Sequence, residues 1–529
     1  MQYCSLLFLL VFLPITLLIY KIVPLKNKWK VLLIASYIFF LSLSSKLIIY
    51  LLFSTLSIHH FGLWLGKIYA DRDEKINASS KDEKKQIKID YKKKAKNVIV
   101  LAVLIHIGLL FFLKYTGFLT ININNLFTFM GINYRIIIPK ILMPIGISFY
   151  TFQGLSYIID VYNEKVNPDS NLGRLALFMA FFPTIMEGPI CRYNEVAESL
   201  YEGKDLTYKN ITFGAQRILW GMLKKMVVAD RLNLFVKNIF WSYAVLDGGL
   251  ILIGAIAYTI QLYMDFSGTM DIVIGISEMF GVKLPENFKQ PFFSKNISEF
   301  WSRWHITLGA WFRDYIFYPL SLSKTMKKIT LIMRKKLGNH FGPLVAGSIS
   351  LFVVWLCNGL WHGAAWSYIF FGMYHFTLIV LGNLFTPLIV KICEKMHINR
   401  ENKIYVFLQI VKTTCLVVIG ELFFRANGLK AGFAMFKRIV CNFSLASVFN
   451  GSVFTMGFDR HDALIVAIVC LAVLIVSILK EKNINIRENI SKKNIIVRWT
   501  LYYALILFII IFGAYGTGYK PVDPLYANF

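Results

Sequence analysis

Two histidines stand where ionisable groups are costly. His362 lies in "NGLWHGAAW" (358–366), a run that otherwise reads as lipid-soluble, and His305 lies in "FWSRWHITLGAWF" (300–312). An ionisable residue inside a membrane is a functional candidate by default. An imidazole kept neutral by burial can accept the proton of a hydroxyl as that oxygen attacks an acyl carbon. The alternative is a histidine satisfied within the core, and for His362 alone the two readings balance. Gly359 and Gly363 flank it at G-x-x-x-G spacing. That spacing either packs helices closely or leaves a gap beside the ring that a substrate chain can enter.

Other chemistries lack their motifs. There is no G-x-S-x-G elbow for a serine nucleophile. There is no H-E-x-x-H, no P-loop and no G-x-G-x-x-G opening a helix. The seven cysteines are scattered without C-x-x-C spacing, so neither a zinc site nor a disulfide framework is expected.

Several further polar residues sit in apolar surroundings. Glu421 and Arg425 in "GELFFRA" are spaced for a helical ion pair, and a structural role is favoured. Asp265 and Asp271 in "YMDFSGTMDIVIG" are either proton-relay carboxylates or hydrogen-bonded structural groups. Glu187 in "FFPTIMEGPICR" lies beside a Gly-Pro break, where a broken helix can line a cavity. His106 reads as core, and His375 has no obvious link to His362.

The elements that must position these residues are membrane helices. Of the 529 residues, 57% are hydrophobic and 16% charged, where a soluble protein has about 25% charged. Spans are expected at 2–20, 31–45, 47–68, 98–118, 136–158, 173–190, 211–229, 248–281, 344–371, 373–392, 403–424, 462–479 and 497–516. The net charge of +27 collects between these blocks, without any recognition motif for nucleic acid. Such charge orients loops toward the cytoplasm and toward anionic headgroups. The lysine-rich loop 71–97 reads as cytoplasmic and poorly ordered. If 31–68 makes two passes joined near Ser44, Ser45 and Lys46, the N-terminus lies outside. The first span lacks the marks of a cleaved signal peptide.

Residues 283–320 are too polar to span and too aromatic for an ordinary loop. Asn296 and Glu299 resemble a capping box. Helical spacing beyond them puts Phe300, Trp304, Leu308, Trp311 and Tyr315 on one face, as in an amphipathic interfacial helix. An anchor is the plainer reading of that segment. Residues 425–461 are the least regular and are expected to be re-entrant or extramembrane.

Five stretches together resemble the membrane-bound O-acyltransferase family: 143–162, 181–192, 263–320, "NGLWHGAAW" and "ELFFRA" (421–426). The similarity is greatest to the bacterial branch of alginate and peptidoglycan O-acetyltransferases, with D-alanyl transfer proteins more distant. It implies one membrane-embedded domain over 1–529. The expected fold is an all-α bundle of about 11–13 spanning helices, with interfacial and re-entrant helices around a central tunnel.

The resemblance further implies acyl transfer with His362 as general base. His305 would be a second essential residue that positions or polarises the acyl carbonyl. Trp304, Arg303, Trp361, Asn287 and Asp265 are the expected lining residues. No metal and no bound cofactor are expected. The implied donor is cytoplasmic acetyl-coenzyme A, and the implied setting is a bacterial plasma membrane with its lipids. An extracytoplasmic acetyltransferase partner would complete transfer to a polysaccharide. Two departures from the family pattern are Glu187, in place of an apolar or small residue, and "SLSKT" (321–325), in place of Gly-Gly. The helix pair 462–516 and the ending "PLYANF" favour the alginate-type branch. D-alanyl transfer from a carrier-protein thioester is the enzymatic alternative. A polysaccharide export subunit is the non-enzymatic one, although the paired broken helices of transporters are not found.

Overall fold

The computed structural model describes residues 2–515 and 518–522, so "PLYANF" lies outside the described residues. Among those residues the regular structure is helical, with one isolated β-bridge between Phe288 and Trp304. Eight helices there are long and apolar enough to cross a membrane: Leu25–Ala78, Lys81–Phe129, Gly248–Met279, Lys324–His362, Trp366–Lys395, Lys403–Arg425, Arg460–Glu481 and Ile495–Phe512. Leu464, Leu471, Ile510 and Ile511 are exposed on the last two, as a surface meeting lipid requires. The protein is thus an all-α polytopic membrane protein, with eight such helices among the described residues.

The chain forms two compact units. The first comprises residues 1–215 and 273–285, with 526–529 outside the described residues; the second comprises 216–272 and 286–525.

In the first unit the helix Leu25–Ala78 breaks at Ser44 (φ −146°, ψ 58°), and a 3-10 turn Ser45–Leu47 follows. The break falls at the expected join. The loop expected at 71–97 is instead helical. Ile48–Ala78 and Lys81–Phe129 run through it and are interrupted at Ser79–Ser80. Glu83 Oε2 accepts from the Ser80 N–H at 3.1 Å, which starts the second helix. Arg72 forks onto both Glu164 oxygens at 2.7 and 2.8 Å and anchors the end of the first. Polar composition here marks exposed helix rather than disorder.

Two expected spans of this unit are not formed. Helix begins only at Ile147 in the segment 136–158, and Leu172–Ala180 stops before "FFPTIMEGPICR". That stretch is turns, buried throughout, with Glu187 1% exposed. A Cβ at Gly188 would meet Thr184 Cα at 2.7 Å, so the close turn requires glycine. A hydropathy window counts apolar side chains and cannot see such a path. The N-terminal helical run, Leu7–Ile22, is also shorter than a span.

In the second unit the expected span 211–229 lies in a helical run that continues through a π turn at Leu223–Ala229 into Asp230–Ser242. Its charges pair internally. Lys225 reaches Asp265 at 2.5 Å and Lys224 reaches Asp271 at 2.6 Å. The expected span 344–371 is broken. One helix ends at His362, Gly363 is extended (φ 170°, ψ 167°), and the next begins at Trp366. Segment 425–461 is more regular than expected, with a helix over Leu429–Cys441.

The Glu421–Arg425 ion pair is not formed. Arg425 lies over the rings of Phe240 and Tyr258, at 5.5 and 5.9 Å, and Glu421 Oε2 is buried without a hydrogen-bond partner among the described residues.

Candidate active site

The site is built around a corner in the chain. Asn296 caps the helix Ile297–Arg303 by accepting from the Glu299 N–H at 2.9 Å. That helix does not continue. At His305 the backbone enters the left-handed region (φ +48°, ψ 51°), and a second short helix, Ile306–Phe312, starts in a new direction. The single amphipathic face expected from Phe300 to Tyr315 is therefore cut in two. A left-handed conformation at a non-glycine residue is uncommon and persists only where the surroundings enforce it.

Segment 286–290 provides that enforcement. The Lys289 N–H donates to the Arg303 carbonyl at 2.9 Å, and the Ile306 N–H donates to the Asn287 carbonyl at 3.0 Å. The side chain of Asn287 is fully buried. Its Oδ1 accepts from the Thr307 N–H at 3.1 Å and the Thr307 hydroxyl at 3.0 Å, and it lies 3.2 Å from His305 Nδ1. The imidazole packs edge-on to Phe266 at 4.8 Å and Trp361 at 5.5 Å between ring centres. Burial pushes this histidine, which lies outside the eight spanning helices, down to about 3.

His362 is the last residue of its helix and is buried against Trp361, Phe424 and Phe371, with ring centres 4.9, 5.1 and 5.9 Å away. The neighbouring helix approaches closely there. A Cβ on Gly359 would lie 2.5 Å from the Tyr368 carbonyl, and one on Gly372 2.4 Å from the Trp355 carbonyl. Gly359 therefore serves close packing, not a gap for substrate, and Gly363 ends the helix instead of extending a glycine face.

The two histidines border one chamber of about 450 Å³, within the range of small-molecule sites. Trp304 borders it as expected. Trp301, Trp355 and Asn358 also line it, the last two not singled out from sequence. The other expected lining residues are placed elsewhere. Arg303 pairs with Glu299 at 2.9 Å and Glu481 at 2.5 Å. Asp265 pairs with Lys225. Trp361 packs against both imidazoles, and Asn287 stands behind His305, where it borders a separate cavity of about 40 Å³.

Asn358 lies one helical turn before His362. It is 8% exposed, and its Oδ1 has no hydrogen-bond partner among the described residues. The i−4 spacing inside "NGLWHGAAW" was the signal for it. His375 lies behind the chamber wall, 4.8 Å from Trp301 and 5.6 Å from Trp355, and neither ring nitrogen has a hydrogen-bond partner among the described residues. Among the described residues no group of His, Cys, Asp or Glu is arranged to hold a metal ion.

A half-open chamber bordered by two imidazoles, within a polytopic helical protein, has the groups needed to move protons during group transfer. Comparison with known proteins narrows the chemistry. A family model described as "MBOAT, membrane-bound O-acyltransferase family" matches residues 169–333. The probable alginate O-acetylase of Pseudomonas syringae pv. tomato is 34% identical over 436 residues, covering 82% of this chain and 74% of that protein. The peptidoglycan O-acetyltransferase of Helicobacter pylori is 29% identical, covering 65% of this chain and 64% of that one. The teichoic acid D-alanyltransferase of Bacillus subtilis is 34% identical, covering 46% and 59%. The chain belongs to the membrane-bound O-acyltransferase family and is an O-acyltransferase.

Proposed function

We propose that this protein is an O-acetyltransferase of a bacterial plasma membrane. It takes an acetyl group from cytoplasmic acetyl-coenzyme A and passes it across the membrane for O-acetylation of a surface or secreted polysaccharide. The single observation that carries the reading is the shared chamber of His305 and His362. Support for acetyl over D-alanyl transfer comes from coverage. The alginate-type relative is matched over 82% of this chain and the D-alanyl-type relative over 46%.

In this reading His362 is the base. The acceptor hydroxyl oxygen attacks the thioester carbonyl while its proton passes to the imidazole. The C–S bond then breaks, and the departing thiolate takes the proton back from the imidazolium. The products are an O-acetyl ester and a thiol. Proton transfer of this kind contributes about 10²–10⁴-fold. The remainder comes from holding donor and acceptor together away from water. His305 is the second essential residue beside the reacting group. An extracytoplasmic acetyltransferase partner completes delivery to the polymer.

The test compares donors and variants. Membranes holding the full chain are given radiolabelled acetyl-coenzyme A or a carrier protein charged with D-alanine, and label in surface polymer is counted. Label from acetyl-coenzyme A that disappears in His362→Ala, at unchanged protein level and polymer secretion, is the expected result. Label from the charged carrier alone would replace acetyl by D-alanyl transfer. Loss of secretion would favour the export reading.

A further inference from the structure

We infer that Asn287 is a positioning residue that fixes which nitrogen of His305 carries the proton. The inference rests on the acyl-transfer reading of the chamber. Its premise is an oxygen whose identity is not in doubt. A backbone N–H can only donate, and the Thr307 N–H points at the Asn287 side-chain atom at 3.1 Å. That atom is therefore the amide oxygen, an acceptor. The amide nitrogen faces the Met270 sulfur at 3.3 Å, where a donor is required. Since an amide oxygen cannot donate, the hydrogen bond to His305 Nδ1 at 3.2 Å is donated by the ring.

A neutral imidazole has one N–H. With that proton on Nδ1, Nε2 carries a lone pair. His305 thus accepts a hydrogen bond from a substrate O–H or N–H. It does not donate one to the acyl carbonyl, in place of the polarising role expected from sequence. A ring that accepts at Nε2 serves the half of the chemistry in which a hydroxyl must be oriented and stripped of its proton, the same half as His362. Polarisation of the carbonyl must then come from another donor of the chamber wall.

The left-handed turn is part of the device. It folds the Thr307 N–H and the His305 ring back onto the same oxygen, only because His305 opens the helix Ile306–Phe312 at φ +48°. One oxygen, on a residue 0% exposed, receives three donors and is accessible to no water that would compete.

The test reads the tautomer directly. The full chain is labelled with ¹⁵N-histidine, placed in lipid bilayers and examined by NMR, with the His305 signal identified by its loss in His305→Gln. Nε2 is expected to give the signal of an unprotonated ring nitrogen. Asn287→Leu is expected to abolish that preference, and Asn287→Asp, which keeps an acceptor oxygen, to retain it. Acetyl transfer from acetyl-coenzyme A should fall on the order of 10²–10⁴-fold in Asn287→Leu, as when a catalytic histidine loses the group that sets its tautomer. A protonated Nε2 in the native protein overturns the inference. So does a tautomer indifferent to Asn287→Leu, or full transfer in a variant whose tautomer has been lost. His362→Ala runs in parallel. Transfer that survives it overturns the acyl-transfer reading while leaving the NMR result standing on its own.

Discussion

Trp361 packs against both histidines, with its ring centre 5.5 Å from that of His305 and 4.9 Å from that of His362. One comes from a sharp corner between two short helices and the other from the end of a long one. A rigid indole packs against both rings. It also excludes water from one side of each ring, which strengthens any hydrogen bond they make to a substrate.

Replacement of Asn358 should separate activity from stability. Its buried Oδ1 has no hydrogen-bond partner among the described residues, so Asn358→Leu removes an unsatisfied polar group and should leave the protein as stable or more so. If the amide bonds to a reacting group in the chamber, the turnover rate should fall by about 10²-fold. Turnover in membranes and the unfolding midpoint in detergent are the two measurements. Unchanged turnover would remove Asn358 from the site.

Gly359 has no room to grow. In Gly359→Ala the new methyl would meet the Tyr368 carbonyl at 2.5 Å, so the two helices must part. Overpacking of this kind costs about 1–3 kcal/mol. Since His362 is one turn away on the same helix, turnover should fall along with the unfolding temperature. A stable and fully active variant would show that the close approach is not needed.

Thr307→Val tests how far the hold on His305 is shared. It deletes one donor to Asn287 Oδ1, at 3.0 Å, and leaves the backbone donor at 3.1 Å. A loss of about 1 kcal/mol in stability is expected, with a smaller loss of turnover than in Asn287→Leu. A turnover loss equal to that of Asn287→Leu would mean that the hydroxyl, and not the amide, governs the ring.

Asp462 pairs with the buried Arg231, which also donates to the Phe512 carbonyl at 2.6 Å and to the Tyr519 hydroxyl at 2.9 Å. Asp462→Ala strands that guanidinium and should cost about 3–5 kcal/mol. Arg303→Ala breaks a more exposed pair with Glu481 and should cost less. Thermal unfolding of both variants in the same detergent orders them, and the reverse order would refute the argument.

The sequence by itself determined the class and the chemistry. Long apolar blocks require helices in lipid, because no other local structure satisfies its own backbone there. An imidazole in such surroundings is a candidate for a site, and the five resembling stretches carried the family. What only the tertiary structure decided is which residues meet. Helical spacing carried Phe300 through Tyr315 along one face, because periodicity cannot register a left-handed residue enforced from elsewhere in the chain. The buried "FFPTIMEGPICR" turns escaped for the same reason, since hydropathy reports environment and not backbone path. Asn287 was named as a lining residue and stands behind the wall. Its hold on the His305 proton depends on an oxygen arriving within 3.2 Å from 18 residues away. Hydrogen bonds are directional and short, so no pattern along the chain specifies them until the fold has brought donor and acceptor together.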